Sequence, residues 1–120
     1  MTVPETILMQ LGGRRFIVMT GSKDFIGDKD TLRMSLARNS SGANRLEITL
    51  NGLDLYDMRF YRRTGGKMKL NHKTQTAEFT PLKEKDIAVF HDIYCDQLEE
   101  LFTEITGLET RMPRIIGINA

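Results

Sequence analysis

Three segments between residues 32 and 62 alternate apolar and polar side chains. Residues 32–37, 46–50 and 55–62 each place an apolar side chain at every second position. Successive side chains of a β-strand point to opposite faces, so each segment predicts a strand with one buried face. The turn-forming segments 39–42 and 51–52 separate these strands and predict that they run antiparallel.

Shorter segments flank these strands. Residues 5–11 follow a proline, share apolar positions at helical spacing and precede two glycines, which predicts a short helix. Residues 14–20 are rich in β-forming residues with apolar side chains on both faces, which predicts a covered strand. The composition of residues 22–30 predicts a surface loop. Residues 67–70 and 77–79 predict two further short strands.

Apolar side chains recur at helical spacing between Lys83 and Thr106. At 100° per residue, they form one arc made of Ile87, Phe90, Tyr94, Leu98, Leu101, Phe102, Ile105 and Leu108. Gly107 then ends the pattern. The spacing predicts one long helix from Lys83 to Thr106, with Leu98 and Leu101 buried against the sheet.

The order of these elements predicts an α+β fold. We expect a single antiparallel sheet of about four to five strands, with a short N-terminal helix and a long C-terminal helix packed on one face. Residues 4–110 form this single domain, and residues 111–120 form a C-terminal tail. The apolar segment 115–118 predicts an edge strand or a partner contact, with a frayed terminus as the alternative.

Composition limits the class of protein. The chain has 120 residues, of which 40% are hydrophobic and 28% charged, as expected of one folded domain. Cys95 is the single cysteine, which excludes an internal disulfide. The first residues lack the pattern of a signal peptide, and no apolar run approaches the roughly 20 residues of a spanning helix. We therefore expect a cytoplasmic protein without membrane contact.

The chain lacks the common catalytic and phosphate-binding motifs. No phosphate-binding loop, serine triad, paired CxxC or HExxH helix occurs. His91 and Cys95 are neighbours on the predicted helix, but a zinc site needs more ligands than His72 can add, and a nucleophile pair needs an oxyanion site. We expect both side chains to be buried against the sheet. The prediction is a protein without catalytic residues, metal or cofactor.

Basic residues are concentrated between residues 59 and 73, where six occur without an acidic residue. Strand alternation places several of them on the sheet face opposite the core. That face is predicted to carry five cations around one tyrosine: Arg33, Arg45, Arg59, Lys67, Lys69 and Tyr61. Amines that neutralise phosphate beside a ring that stacks on a base are typical of proteins that bind single-stranded nucleic acid. The alternative is a solvated face kept monomeric by its like charges.

Acidic residues form a row on the predicted helix. Asp92, Asp96, Glu100 and Glu104 follow one another at a spacing of four. Such a row is either the solvated back of the helix or an acidic surface for a basic protein.

Three segments resemble a family of small uncharacterised proteins encoded by phages, prophages and integrated mobile elements. They are Leu11-Gly12-Gly13 with Phe16 and Val18–Gly21, then Ile48–Met58, then Phe102–Leu108. The similarity extends from about Ile7 to Arg111 and includes no catalytic motif. It implies a setting in which small proteins handle DNA, assist replication or block a host defence.

The sequence leads to two main hypotheses of function, and an enzyme built around His91 and Cys95 is a third that fewer residues support. The first is a non-enzymatic accessory protein of a phage or mobile element that binds nucleic acid through the basic sheet face. The alternative is a protein-interaction module, or an inhibitor of a host factor, whose acidic helix face binds a basic host or phage protein.

Overall fold

The computed structural model describes residues 2–110, so the tail 111–120 with its apolar segment 115–118 lies outside the described residues. In chain order the elements are α1 (Val3–Leu11), α2 (Arg14–Thr20), β1 (Lys23–Gly27), β2 (Thr31–Ser35), β3 (Arg45–Leu50), β4 (Tyr56–Thr64), β5 (Met68–Asn71), β6 (Thr76–Phe79), β7 (Lys83–Ile93), a 3₁₀ turn (Cys95–Gln97) and α3 (Leu98–Thr106). None of the helices in this range is long and apolar enough to cross a membrane.

The strands form a main antiparallel sheet of five strands in the order β1-β2-β3-β4-β7. The predicted α+β class and main antiparallel sheet are confirmed. The predicted short strands β5 and β6 exist, but they pair with each other in a separate two-stranded sheet.

The core lies between one face of the main sheet and the three helices. Every second side chain of β2, β3 and β4 is apolar and faces this core, as the sequence pattern predicts. Phe102 of α3 is fully buried there, with its ring centroid 4.9 Å from that of Phe16 in α2 and 6.3 Å from that of Phe60 in β4. The three rings therefore join both helices to the sheet.

The predicted first helix is confirmed. The hydroxyl of Thr2 accepts a hydrogen bond from the backbone N–H of Glu5 (3.4 Å), and Pro4 lies in the first turn. Gly12, whose φ is +125°, ends the helix. Ile7 and Leu11 are fully buried, so the apolar face faces the core.

The predicted strand at residues 14–20 is wrong, because this segment is the helix α2. Phe16 and Thr20, four residues apart, are buried on one side, while Val18 is exposed. The hydroxyl of Thr20 donates a hydrogen bond to the carbonyl oxygen of Phe16 (2.7 Å). Tertiary packing of this helical face overrides the β-propensity of the residues.

The predicted loop at residues 22–30 is also wrong in part, because it contains the edge strand β1. β1 pairs only with β2, and its register shifts between Lys23 and Ile26. Four of its five residues are exposed, and no apolar alternation marks this strand in the sequence.

The predicted long helix from Lys83 to Thr106 is wrong over its first half. Residues 83–93 form β7, which pairs with β4, and only the last part is helical. Four consecutive apolar residues, 87–90, fit the spacing of a helix and of a strand equally well. Leu98 is fully buried as predicted, whereas Leu101 is partly buried.

A hairpin extends the β4–β7 pair beyond the main sheet. Thr64 pairs with Lys83, and four residues further along Met68 pairs with Phe79, so the two ladders keep one register. We call residues 65–82 the arm. Its strands contact each other, and nearly all of their side chains are exposed.

Candidate nucleic-acid interface

The outer face of the main sheet carries paired charges. The Nε atom of Arg33 donates to Oε2 of Glu47 (3.0 Å), and the guanidinium of Arg59 bonds to Asp86 (2.6 Å) and Glu84 (3.3 Å). Burial lowers the pKa of Arg59, but the hydrogen bonds that its guanidinium donates to both carboxylates outweigh this effect and raise the pKa. β7 supplies these two carboxylates, so assigning residues 83–106 to a helix hid the acidic neighbours of Arg59.

Tyr61 is buried beneath the guanidinium of Arg59. The side chain is only 3% exposed, and Cζ of Arg59 lies 4.0 Å from the ring centroid, which is a cation–π contact. Burial raises the pKa of the Tyr61 hydroxyl, and Glu84 and Glu47 add to this shift. In this arrangement Arg59 occupies the ring face that a nucleic-acid base would need.

Arg45 and Lys67 lie in a different environment from Arg33 and Arg59. Both line an open groove of about 800 Å³ between the end of the main sheet and the start of the arm. Lys23 and Arg63 line it as well, and we call these four residues the basic groove. Asp24 is the one acidic residue that lines it in the part of the chain that the structure describes.

Three cations of the basic groove lack an acidic partner. Among residues 2–110, no carboxylate oxygen lies within 4.0 Å of the charged nitrogens of Lys23, Arg45 or Lys67. The fourth, Arg63, has its Nε atom 4.0 Å from Oε2 of Glu84. An anion can therefore bind Lys23, Arg45 and Lys67 without first breaking an ion pair with a carboxylate of residues 2–110.

The backbone around the basic groove is held in place. The side chain of Asn44 donates to the carbonyl oxygen of Arg63 (2.8 Å) and accepts from its backbone N–H (2.7 Å). Gly65, with a φ of +85°, lies against the backbone of Pro81, where a Cβ would collide with the carbonyl oxygen. These contacts fix the point at which the arm leaves the sheet.

Lys69 lies further out on the arm than Lys67. It pairs across the hairpin with Glu78 and lines a depression with His72 and Lys73. Residues 62–83 contain six basic residues and one acidic residue, which gives this region a net charge of +5 with histidine neutral. Lys67 and Lys69 thus belong to a projecting basic hairpin and not to the main sheet face.

The acidic row is divided between two places. Asp96, Glu100 and Glu104 line a shallow depression of about 590 Å³, together with Glu99 and Glu109. The fourth member, Asp92, lies at the end of β7 with a φ of +57°, and its carboxylate accepts a hydrogen bond from the side chain of Asn51 (2.9 Å). The spacing of four keeps residues together only where the chain is helical.

The predicted burial of His91 and Cys95 is wrong. The His91 side chain is 70% exposed on β7, and Cys95 is exposed in the 3₁₀ turn, so the two do not share a helix face. Within residues 2–110, no group of three or more His, Cys, Asp or Glu side chains is arranged to hold a metal ion.

Nδ1 of His91 lies 3.4 Å from Asp57, a carboxylate with a structural role. Asp57 accepts hydrogen bonds from the backbone N–H of Asp92 (3.1 Å) and from the side chain of Asn51 (3.1 Å). Burial raises the pKa of Asp57, but the hydrogen bonds outweigh it, and the net shift is downward. The ionised carboxylate therefore holds the irregular end of β7 against β4, where the register shifts.

No sequence pattern places Lys23, Arg63 or Phe79 on a binding surface. Lys23 belongs to the segment predicted as a loop, and Arg63 belongs to the basic segment without a predicted face. Phe79 lay in a predicted strand, but no pattern indicated that its ring is 73% exposed. Pairing residues 67–70 with 77–79 around the intervening turn would have revealed the arm and its two faces.

The protein was compared with family models, with curated proteins and with solved structures, and no match was found.

Proposed function

We propose that this protein is a non-enzymatic accessory protein of a phage or mobile element that binds nucleic acid through the basic groove and the arm. The observation that carries the proposal is the presence around one groove of three cations, Lys23, Arg45 and Lys67, that pair with no carboxylate of residues 2–110. Cations that neutralise phosphates dominate the affinity of such proteins and place the nucleic acid on the surface. The phage or mobile-element setting rests on the sequence resemblance alone.

The proposal gives the predicted residues unequal roles. Arg45, Lys67 and Lys69 bind phosphates directly. Arg33 and Arg59 already bond to carboxylates, and a phosphate would have to displace those partners. Tyr61 holds Arg59 in position and does not stack on a base.

The test is a salt-dependent binding titration. Labelled single-stranded DNA, duplex DNA and RNA are titrated with the wild-type protein and with Arg45→Gln/Lys67→Gln at several salt concentrations. Removing two phosphate contacts should weaken binding to every sequence and reduce the slope of log K against log salt by about two. The matched control, Arg14→Gln/Lys29→Gln, removes the same net charge from exposed positions elsewhere and should leave the slope unchanged.

Two results would contradict the proposal. One is a wild-type protein that binds none of these nucleic acids at low salt. The other is an equal effect of the groove variant and the control variant, which would mean that net charge and not the groove determines binding.

A second candidate is binding of a basic host or phage protein. It is favoured by the concave surface that Asp96, Glu100 and Glu104 share with Glu109. Charge reversal by Glu100→Lys/Glu104→Lys should then abolish capture of a basic partner protein while nucleic-acid binding is unchanged. Unchanged capture by this variant would exclude the acidic depression as the contact surface.

A further inference from the structure

One face of the arm is apolar and exposed. Met68 pairs with Phe79, and two residues along Leu70 pairs with Ala77, so these four side chains share one face of the hairpin. Met68, Leu70 and Phe79 are 63%, 66% and 73% exposed. The pairs between and beyond them, including Lys69 with Glu78, place polar side chains on the other face.

This apolar face is unusual because the arm has no core of its own. Single exposed apolar side chains are ordinary on protein surfaces. Three large ones on the same face of a two-stranded hairpin are different, because such a hairpin is only marginally stable in water and nothing else in residues 2–110 covers this face. The arrangement indicates a surface whose apolar side chains contact a partner.

The surrounding charge identifies the chemistry of that partner. Residues 62–83 carry a net charge of +5, and the basic groove lies at the start of the arm. Strand alternation places Lys67, a member of that groove, on the opposite face of the hairpin from Met68, so a bound chain passes around the edge of the arm from one face to the other. A partner that fits both features combines negative charge with flat apolar surfaces. Unpaired bases on a phosphate backbone have both, whereas the faces of bases in a duplex are covered by their neighbours.

We infer that the arm binds single-stranded nucleic acid, with the Phe79 ring stacking on an unpaired base beside Met68 while the basic groove at the start of the arm binds phosphates further along the same strand. This inference rests on the nucleic-acid binding proposed above and adds its substrate class. It also assigns to Phe79 the stacking role that the sequence suggested for Tyr61, whose ring Arg59 covers.

The position of the apolar side chains disfavours insertion into a membrane. Met68 and Phe79 lie at the end of the hairpin nearest the main sheet, and the connection at the other end, residues 72–75, is His-Lys-Thr-Gln. A hairpin that inserts into lipid would carry its apolar side chains at that outer end. Anionic vesicles therefore serve as a comparison in the test.

The absence of tryptophan from the chain allows a direct test of stacking. Phe79→Trp introduces a single indole at the proposed stacking position. Its fluorescence should be quenched when oligothymidylate of about 16 nucleotides is added, a length within the range one small binding domain covers. It should change little with a duplex of the same length. Leu53→Trp, at an exposed turn on the main sheet, is the control that should not respond.

Affinity measurements separate stacking from general apolar contact. Phe79→Ala should reduce the affinity for oligothymidylate by about 5- to 150-fold and leave duplex affinity within about twofold. Phe79→Trp should keep wild-type affinity, because it keeps an aromatic face. Phe79→Leu should lose most of it, although leucine is also apolar.

The outcomes distinguish this inference from the function on which it rests. If the wild-type protein binds no nucleic acid in low salt, both are overturned. If binding depends on Arg45 and Lys67 but Phe79→Ala has no effect, or has equal effects on single strands and duplex, the stacking inference alone is overturned. Wild-type binding to anionic vesicles that is lost in Phe79→Ala, with single-strand affinity unchanged, would also overturn it and assign the arm to a lipid surface.

Discussion

Phe102→Ala tests the packing of α3 on the sheet. The side chain is fully buried, and its ring meets Phe16 in an edge-to-face arrangement with an interplanar angle of 69°. Burying a phenylalanine contributes about 1.5–3 kcal/mol, and an aromatic pair adds about 0.5–1.5 kcal/mol. The cavity left by truncation adds to this loss, so we expect the free energy of unfolding to fall by about 3–5 kcal/mol.

The measurement is equilibrium unfolding in guanidinium chloride followed by circular dichroism. A change in the midpoint at constant slope reports the loss of stability. The control is Met9→Ala on α1, where the side chain is 62% exposed and the expected change is within about 0.5 kcal/mol. A loss below about 1 kcal/mol in Phe102→Ala would mean that this ring does not join α3 and α2 to the sheet, and the described core would be wrong.

Three further substitutions test other parts of the structure. The folded-state pKa of Asp57 lies below its ordinary value of 3.8, so the carboxylate stabilises the protein above that value and the contribution is lost as pH falls through the folded pKa. Asp57→Asn should therefore be less stable than wild type near neutral pH, and thermal unfolding should show this difference shrinking below about pH 4; a constant difference would contradict the assignment. Gly65→Ala should cost more than about 1 kcal/mol at the junction of the arm, because the new Cβ meets Pro81 at a positive φ. Limited proteolysis should then cut within the arm while the core stays folded, and an unchanged digestion pattern would argue against a constrained junction. Thr106→Val should lower the free energy of unfolding in denaturant by about 1–2 kcal/mol, because the buried Thr106 hydroxyl accepts a hydrogen bond from the backbone N–H of Leu108 (3.1 Å). An effect near zero would mean that water replaces this hydroxyl as the acceptor.

Strand alternation allowed β2, β3 and β4 to be predicted, because their core-facing side chains are buried while most of the side chains between them are partly exposed. The same reasoning failed for residues 14–20, where the decisive signal was the pair Phe16 and Thr20 at helical spacing. β-forming residues between them outweighed that signal in the sequence. A seven-residue helix such as α2 depends on packing more than on propensity, so propensity misled the prediction there.

The candidate site could be predicted only in part for a related reason. The sequence indicated the basic segment, but whether a cation is available to bind an anion depends on which carboxylates lie near it in the folded protein. A helix over residues 83–93 would place Glu84 and Asp86 away from the sheet and leave Arg59 without a carboxylate partner. The error in one element therefore changed the electrostatic character expected of the whole face.

The arm joins the main sheet at a cross-strand pair, Thr64 and Lys83. None of the buried core residues, and none of the partly buried residues packed against them, lies between residues 65 and 82. A two-residue turn can connect two paired positions of an antiparallel hairpin, so we expect a chain in which such a turn replaces the arm to keep the five-stranded sheet. Changes in the arm beyond the junction at Gly65 should therefore alter the free energy of unfolding far less than the same changes in β3, and the length and sequence of the arm can vary while the core stays the same.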